Sequence, residues 1–419
     1  MTMLSLAWRS LWNRRATAIL VVLSIALSVI LLLGVERLRE QARGSFANTI
    51  SGVDLVVGSR TGPINLLLYS VFRLGEPTAN VSWQAYQHFA DDRRVAWTIP
   101  LSLGDSHRGY PVLATNQDYF EYFRYGRSER LRLAEGEIFD DVYDAVLGAR
   151  VARALGYSLG EEIVLAHGMG AVSLTQHDDK PFRVVGILEP TGTPVDNSVH
   201  ISLQGFQAMH VDWRGGAPIP GLSISAERAA QMSLQPRSIT AFMVGLESRV
   251  AVFGLQRDIN TWRDEPLLAI LPGLTLQQLW DLLAVAENAL LAVSVLVLLV
   301  ALLVMLTALL TGLNERRREM AILRAMGARP RQIFALIIGE STLLSALGIL
   351  LGVFLMQGMT LAASGWLSLQ LGMRISAWPP SSTEIWLLGV VLFGGILAGL
   401  WPAWRASRNA LQDGMSQRL

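Results

Sequence analysis

Long apolar runs stand at both ends of this chain, and a more polar stretch with short apolar bursts fills the middle. The runs cover residues 17–34, 282–313, 333–363 and 385–404, each long enough for a helix that crosses a bilayer. Pro402 is expected to close the last one. Residues 35–281 follow another pattern. Bursts rich in Val, Ile or Leu at Val53–Val57, Ala145–Leu147, Ile163–Leu165, Phe182–Ile187, Val199–Ile201 and Ala241–Val244 predict strands. Apolar spacing predicts helices over Ala149–Leu155 and Ser248–Trp262. Gly192-Thr193-Pro194 and Gly215-Gly216-Ala217-Pro218 read as turns. Together these predict an α-helical membrane protein with four transmembrane helices and a large α+β domain inserted between the first and second.

Residues 314–332, between the second and third runs, are rich in arginine. A loop that only fixes topology needs the arginines and little else. This segment also has Ile322, Leu323 and Met326 at helical spacing, then Gly327 as a stop and Pro330 just beyond. That describes a short amphipathic helix offering an apolar face to something other than lipid. The plainer alternative is a positive-inside loop.

Arginine placement sets the orientation. Arg9, Arg14 and Arg15 precede the first run, six arginines from Arg316 to Arg331 fill the linker, and Arg405, Arg408 and Arg418 follow the fourth run. The loop 364–384 has only Arg374. The amphipathic N-terminal segment 1–16, the linker and the tail 405–419 are therefore expected in the cytoplasm, with 35–281 outside. A cleaved signal peptide competes for the first run. No small-residue cleavage site precedes Glu36, however, and Val35–Glu40 continues a helical pattern, so a retained anchor is expected. Trp366, Trp378 and Trp386 suit one interfacial belt, and Trp8, Trp12, Trp401 and Trp404 the other.

Composition narrows the class. The 419 residues are 51% hydrophobic and 16% charged, with mean hydropathy +0.37, which suits a membrane protein carrying a large aqueous domain. A net charge of +1 gives no electrostatic case for nucleic acid. Cysteine is absent, which excludes disulfides and thiolate metal sites. Lys180 is the only lysine and Pro181 follows it, so no Gly-x-x-x-x-Gly-Lys-Ser/Thr phosphate loop exists.

The segment Glu315–Ile333, followed by Glu340-Ser341 and a glycine-bearing apolar helix, resembles the FtsX/MacB/LolC-type ABC transporter permeases (type VII, mechanotransmission-like). Glu135–Phe139, Val146–Ala152 and Pro181–Leu188 resemble the MacB-like periplasmic domain of the same family. Thr61–Asn80 has no counterpart in the drug-efflux members. The resemblance implies a bacterial inner-membrane subunit that works as a dimer of permeases with separate ABC ATPase subunits. Its coupling helix would dock on the ATPase through Glu319, Ile322, Leu323, Arg324, Met326 and Gly327. ATP and Mg would be bound by that partner, with no cofactor on this chain.

Other features invite functional readings. At 1.5 Å per residue the second run would reach on the order of 45 Å against roughly 30 Å of hydrocarbon. Its excess, with Leu282, Ala286, Glu287 and Asn288, is expected to form an outer stalk, although tilt could absorb part of it. The pairs Gly348/Gly352 and Gly395/Gly399 are spaced for close helix packing. Glu340 is a carboxylate in an apolar helix, suited either to an interfacial arginine or to coupling. All six histidines fall within 35–281, and His177-Asp178-Asp179 with His167 is the only grouping of metal-ligand character. A solvated loop is the plain reading of it. No nucleophile elbow, His-Glu-x-x-His or paired carboxylates occur, so an enzyme is not expected.

Two function classes follow. The first is export or extraction of a lipoprotein, peptide or hydrophobic compound, with a periplasmic adaptor or lipoprotein as a possible partner. The second is a mechanical signalling module that controls an external partner such as a cell-wall hydrolase. A metal-related transport system is a weaker third.

Overall fold

The computed structural model describes residues 15–47, 49–168, 177–214, 217–219, 223–315, 320, 322, 324–371 and 380–409. The chain divides into a helical unit of Met1–Gln41, Leu283–Trp366 and Ile375–Leu419, and an α+β unit of Ala42–Leu282 with Leu367–Arg374.

Four helices are long and apolar enough to cross a membrane, over Arg15–Gln41, Pro272–Leu313, Pro330–Ala362 and Ser382–Arg408. They belong to helices Arg15–Ala47, Pro272–Glu315, Pro330–Leu371 and Ser382–Asn409. Each is longer than its apolar run. The first continues past Gly34 to Ala47, and the second begins at Pro272 rather than Leu282. Proline suits a first helical turn because its missing N–H would be unbonded there, and Thr275 N–H already donates to Leu271 O at 3.0 Å. The third helix takes up the start of the expected 364–384 loop, and residues 372–379 lie outside the described set.

Pro402 does not close the fourth helix, which runs on to Asn409. Ala403 and Ala406 beyond it are buried against Met320, Ile333 and Ile337. Tertiary packing thus holds the turn that the proline weakens.

The helical unit is packed through its small residues. A Cβ built on Gly348 would lie 2.7 Å from Ile25 Cβ, and one on Gly352 would lie 2.8 Å from Val29 Cβ. Both glycines therefore let the third helix close on the first. Gly395 and Gly399 do the same between the fourth and third, where an added Cβ would meet Ser345 Cβ at 2.8 Å and Ser341 Cβ at 2.7 Å. Arg37 Nε donates to Glu384 Oε1 at 2.6 Å, and its Nη1 donates to Gln357 and Thr360, so one guanidinium joins three helices.

The α+β unit holds two principal sheets. One is antiparallel, in the order Leu267–Ile270, Leu55–Ser59, Ala241–Leu246, Val95–Leu101. The other is mixed, in the order Glu162–Ile163, Phe182–Leu188, Asp144–Leu147, Val199–Ser202, Tyr110–Thr115, Asp105–His107, Ala166–His167, with Leu133–Gly136 paired to Phe182–Leu188. Alternate residues of one strand enter different cores. Leu55 and Val57 face one and Val56 the other; Ala145 and Leu147 oppose Val146; Phe242 and Val244 oppose Met243. Sheets covered on both faces need continuous apolar runs, which is the pattern these strands have.

Helix Ala149–Leu155 is present as expected, and Ser248–Trp262 becomes a 3₁₀ turn, Arg249–Ala251, followed by helix Val252–Asn260. Thr61–Asn80 contains helix Pro63–Val71, which buries Leu66, Leu67 and Tyr69 in the second core.

Candidate functional site

In the helical unit, Met320, Ile322, Arg324 and Ala325 have helical backbone. Met326 N–H donates to Ile322 O and Gly327 N–H to Arg324 O, both at 3.0 Å. Gly327 then turns left-handed at φ 97°, the conformation that ends helices with least strain in glycine. Met320 is buried against Ile333, Ile337, Ala403 and Ala406, while Ile322 and Met326 are 58% and 72% exposed. One side of the segment is thereby anchored, and an isoleucine and a methionine four residues apart face outward. Glu319 and Leu323 lie outside the described residues.

The stalk positions fall on helix Pro272–Glu315, which passes through them without a break. Leu282, Ala286 and Asn288 are exposed, and Glu287 Oε2 pairs with Arg39 Nε of the first helix at 3.2 Å. Glu340 is buried within the third helix.

A different group of side chains converges in the α+β unit. Asp105 stands on strand Asp105–His107 and His167 on strand Ala166–His167, and the antiparallel register puts the two residues opposite each other. His177 follows, fixed by its N–H donating to Leu165 O at 2.9 Å. His210 caps the C-terminus of helix Leu203–Met209. One ligand atom from each of the four lies within 4.8 Å of the others. Trp213 packs on the same group, its ring centroid 4.3 Å from that of His177 and 5.2 Å from that of His167.

Burial shapes this cluster electrostatically. Burial pushes the Asp105 carboxyl up, but the hydrogen bond from His167, with the His210 ring beside it, outweighs this and holds the group at about 2. Asp105 is therefore a buried anion. Hydrogen bonding to Asp105 raises His167, whereas burial brings His177 down to about 4 and leaves it neutral.

Of the metal-ligand residues expected from sequence, the structure brings together His167 and His177 and leaves out Asp178 and Asp179. Both aspartates are exposed, and Asp179 pairs with Lys180. Asp105 and His210 are the members that sequence spacing missed. Their only signal was the concentration of histidines in this domain.

A multi-pass membrane protein carrying a large α+β domain after its first span is the class that this architecture defines. Residues 16–259 match the MacB-like periplasmic core domain, and residues 291–411 match the C-terminal domain of FtsX-like permeases. The chain belongs to the FtsX/MacB-type family of ABC transporter permeases. Among solved structures it is similar to the periplasmic region of MacB from Actinobacillus actinomycetemcomitans, at 12% identity and TM-score 0.35, covering 56% of this chain and 95% of that one. It is also similar to the extracellular domain of the noncanonic ABC-type transporter YknZ from Gram-positive bacteria, at 11% identity and TM-score 0.30, covering 52% of this chain and 98% of that one. No curated protein matches it.

Proposed function

We propose that this chain couples ATP hydrolysis by a separate cytoplasmic ATPase, which holds the ATP and Mg, to work done by the inserted domain outside the membrane. The observation that supports this reading is the exposed pair Ile322 and Met326 on a segment anchored by Met320 and ended by Gly327. An apolar helix face set among arginines suits a groove on a protein better than lipid or water. Glu319, Leu323 and Arg324 complete the docking segment. The working form is a dimer of two permease copies in the bacterial inner membrane, with both termini cytoplasmic.

Export or extraction of a lipoprotein, peptide or hydrophobic compound is the function this arrangement serves best. Among the described residues the spans close on one another through glycine and serine, which favours work outside the membrane over a wide aqueous pore. Cargo is therefore handled by the inserted domain, with a periplasmic adaptor or lipoprotein as its partner.

The test is co-purification of an ATPase subunit with the tagged chain from its native membranes. Met326→Asp should abolish it while membrane insertion is retained; unchanged co-purification removes the docking site. Orientation is tested with single cysteines, since the chain has none. Cysteines at Asp118 and Asp178 should react with an impermeant thiol reagent in intact cells, and those at Arg318 and Gln417 should not.

A further inference from the structure

We propose that Asp105, His167, His177 and His210 form a binding site for one divalent first-row transition-metal ion of the zinc class. Nothing in the permease reading requires such a site, and it stands or falls separately from ATPase docking.

Three imidazoles and one carboxylate meet at one place, with ligand atoms all within 4.8 Å of one another. Three nitrogens and one oxygen suit Zn²⁺ and its neighbours; Ca²⁺ and Mg²⁺ prefer all-oxygen shells, and the thiolates that favour Cu⁺ are absent from the chain.

The spacing agrees. His167 Nδ1 lies 2.9 Å from Asp105 Oδ1, His210 Nε2 lies 3.5 Å from Asp105 Oδ2, and His210 Nε2 lies 3.4 Å from His167 Nδ1. Tetrahedral coordination with bonds of about 2.0–2.1 Å separates neighbouring ligand atoms by about 3.3 Å.

Unmet polar burial points the same way. His177 is fully buried, and neither of its ring nitrogens has a hydrogen-bond partner among the described residues. Asp105 is also fully buried, and its Oδ2 has no hydrogen bond among them. Native interiors rarely leave such groups unsatisfied, because each loses its hydration without compensation. A cation at the centre satisfies both residues at once.

The surroundings orient the ligands. His210 Nδ1–H donates to Phe206 O at 2.9 Å, which fixes the tautomer and turns the Nε2 lone pair toward Asp105 and His167. Lys180 lies three residues after His177, and its own N–H donates to His177 O at 3.2 Å. Its buried ammonium is paired with Asp212 at 3.0 Å and with Asp179. It therefore anchors the His177 segment and leaves Asp105 to the histidines. His167 is 36% exposed at its side chain, which gives an ion a way in from solvent.

The competing account is a proton-filled cluster, with a histidinium facing Asp105 and no metal. Titration separates the two. The full chain, purified in detergent and stripped with a chelator, is titrated with Zn²⁺ against a chromophoric chelator. Co²⁺ is added in parallel to read visible absorption of tetrahedral intensity. One equivalent of Zn²⁺ per chain and a tetrahedral Co²⁺ spectrum are expected. Asp105→Asn and His177→Ala should each weaken binding at least tenfold. His167→Ala, at the most exposed ligand, should do the same with the thermal transition of the metal-free protein preserved. His88→Ala, which removes a histidine packed against Trp262, should bind as the parent does. Failure of the unmodified chain to take up one equivalent overturns the proposal. So does unchanged affinity in His167→Ala, because the ion would then sit elsewhere.

Discussion

Arg37, on the first spanning helix, is held against Glu384 at the start of the fourth, with Nε 2.6 Å from Oε1. The two side chains are 12% and 4% exposed, so each charge depends on the other. Removing one partner leaves a buried unpaired charge, which costs about 3–5 kcal/mol, whereas replacing both with apolar groups is often close to neutral. Glu384→Ala should therefore lower thermal stability in detergent sharply, and Arg37→Met with Glu384→Met should recover most of the loss. A double variant as unstable as the single one would show that Arg37 acts mainly through Gln357 and Thr360.

Two glycines of the fourth helix give opposite expectations. Gly399→Ala places a methyl 2.7 Å from Ser341 Cβ and should destabilise by about 1–3 kcal/mol through overpacking. Gly389→Ala meets nothing within 4 Å and should stabilise the helix by about 0.5–1 kcal/mol. Equal effects on the midpoint of thermal unfolding would argue against the third and fourth helices packing in this way.

Ala286→Pro tests the second helix as a transmitter. The substitution removes one backbone donor from an unbroken helix and kinks it, at about 3 kcal/mol or more. If motion at the docking segment passes along this helix, the variant should still bind its ATPase and support hydrolysis, yet lose function in cells. Retained function would reduce the second helix to an anchor.

Acid should destabilise the inserted domain partly through His200. Burial, with the nearby Arg73 charge, brings this imidazole down to about 3, and its ring stacks on Tyr119. An unfolded histidine titrates near 6.5, so between about 3 and 6.5 the unfolded chain binds a proton that the folded chain does not. The contribution is complete above about pH 6.5 and falls as pH drops, by up to about 1.4 kcal/mol per pH unit. His200→Phe should flatten the slope of stability against pH by up to that amount, measured by denaturant unfolding at pH 4 to 7. His177, which burial brings to about 4, adds a slope of the same sign that this variant leaves in place.

The parts legible in the sequence share a physical cause. The run Val53–Val57 marks strand Leu55–Ser59 two residues early, and Ala241–Val244 lies within strand Ala241–Leu246; both are legible because cores on both faces demand unbroken apolar runs. Val95–Leu101 and Tyr110–Thr115 are not, because Pro100 and Pro111 interrupt the pattern, although Pro100 is acceptable on an edge strand. The apolar pattern starts the second helix at Leu282 rather than Pro272, because Thr275, Gln277, Gln278 and Asp281 dilute its first turns without ending it. His167 and His177 are near neighbours in sequence. Asp105 joins them only through strand register and His210 only through the end of a helix, neither of which local spacing records.

The burial of Lys180 has a practical consequence. The chain's single ε-amine is fully enclosed, so the native surface offers no side-chain amine to succinimidyl esters or aldehydes. In a cross-linked assembly, every lysine that such a reagent modifies belongs to another polypeptide. Partners are thereby marked while this subunit stays silent, and the appearance of a modified Lys180 becomes a direct signal that the inserted domain has opened.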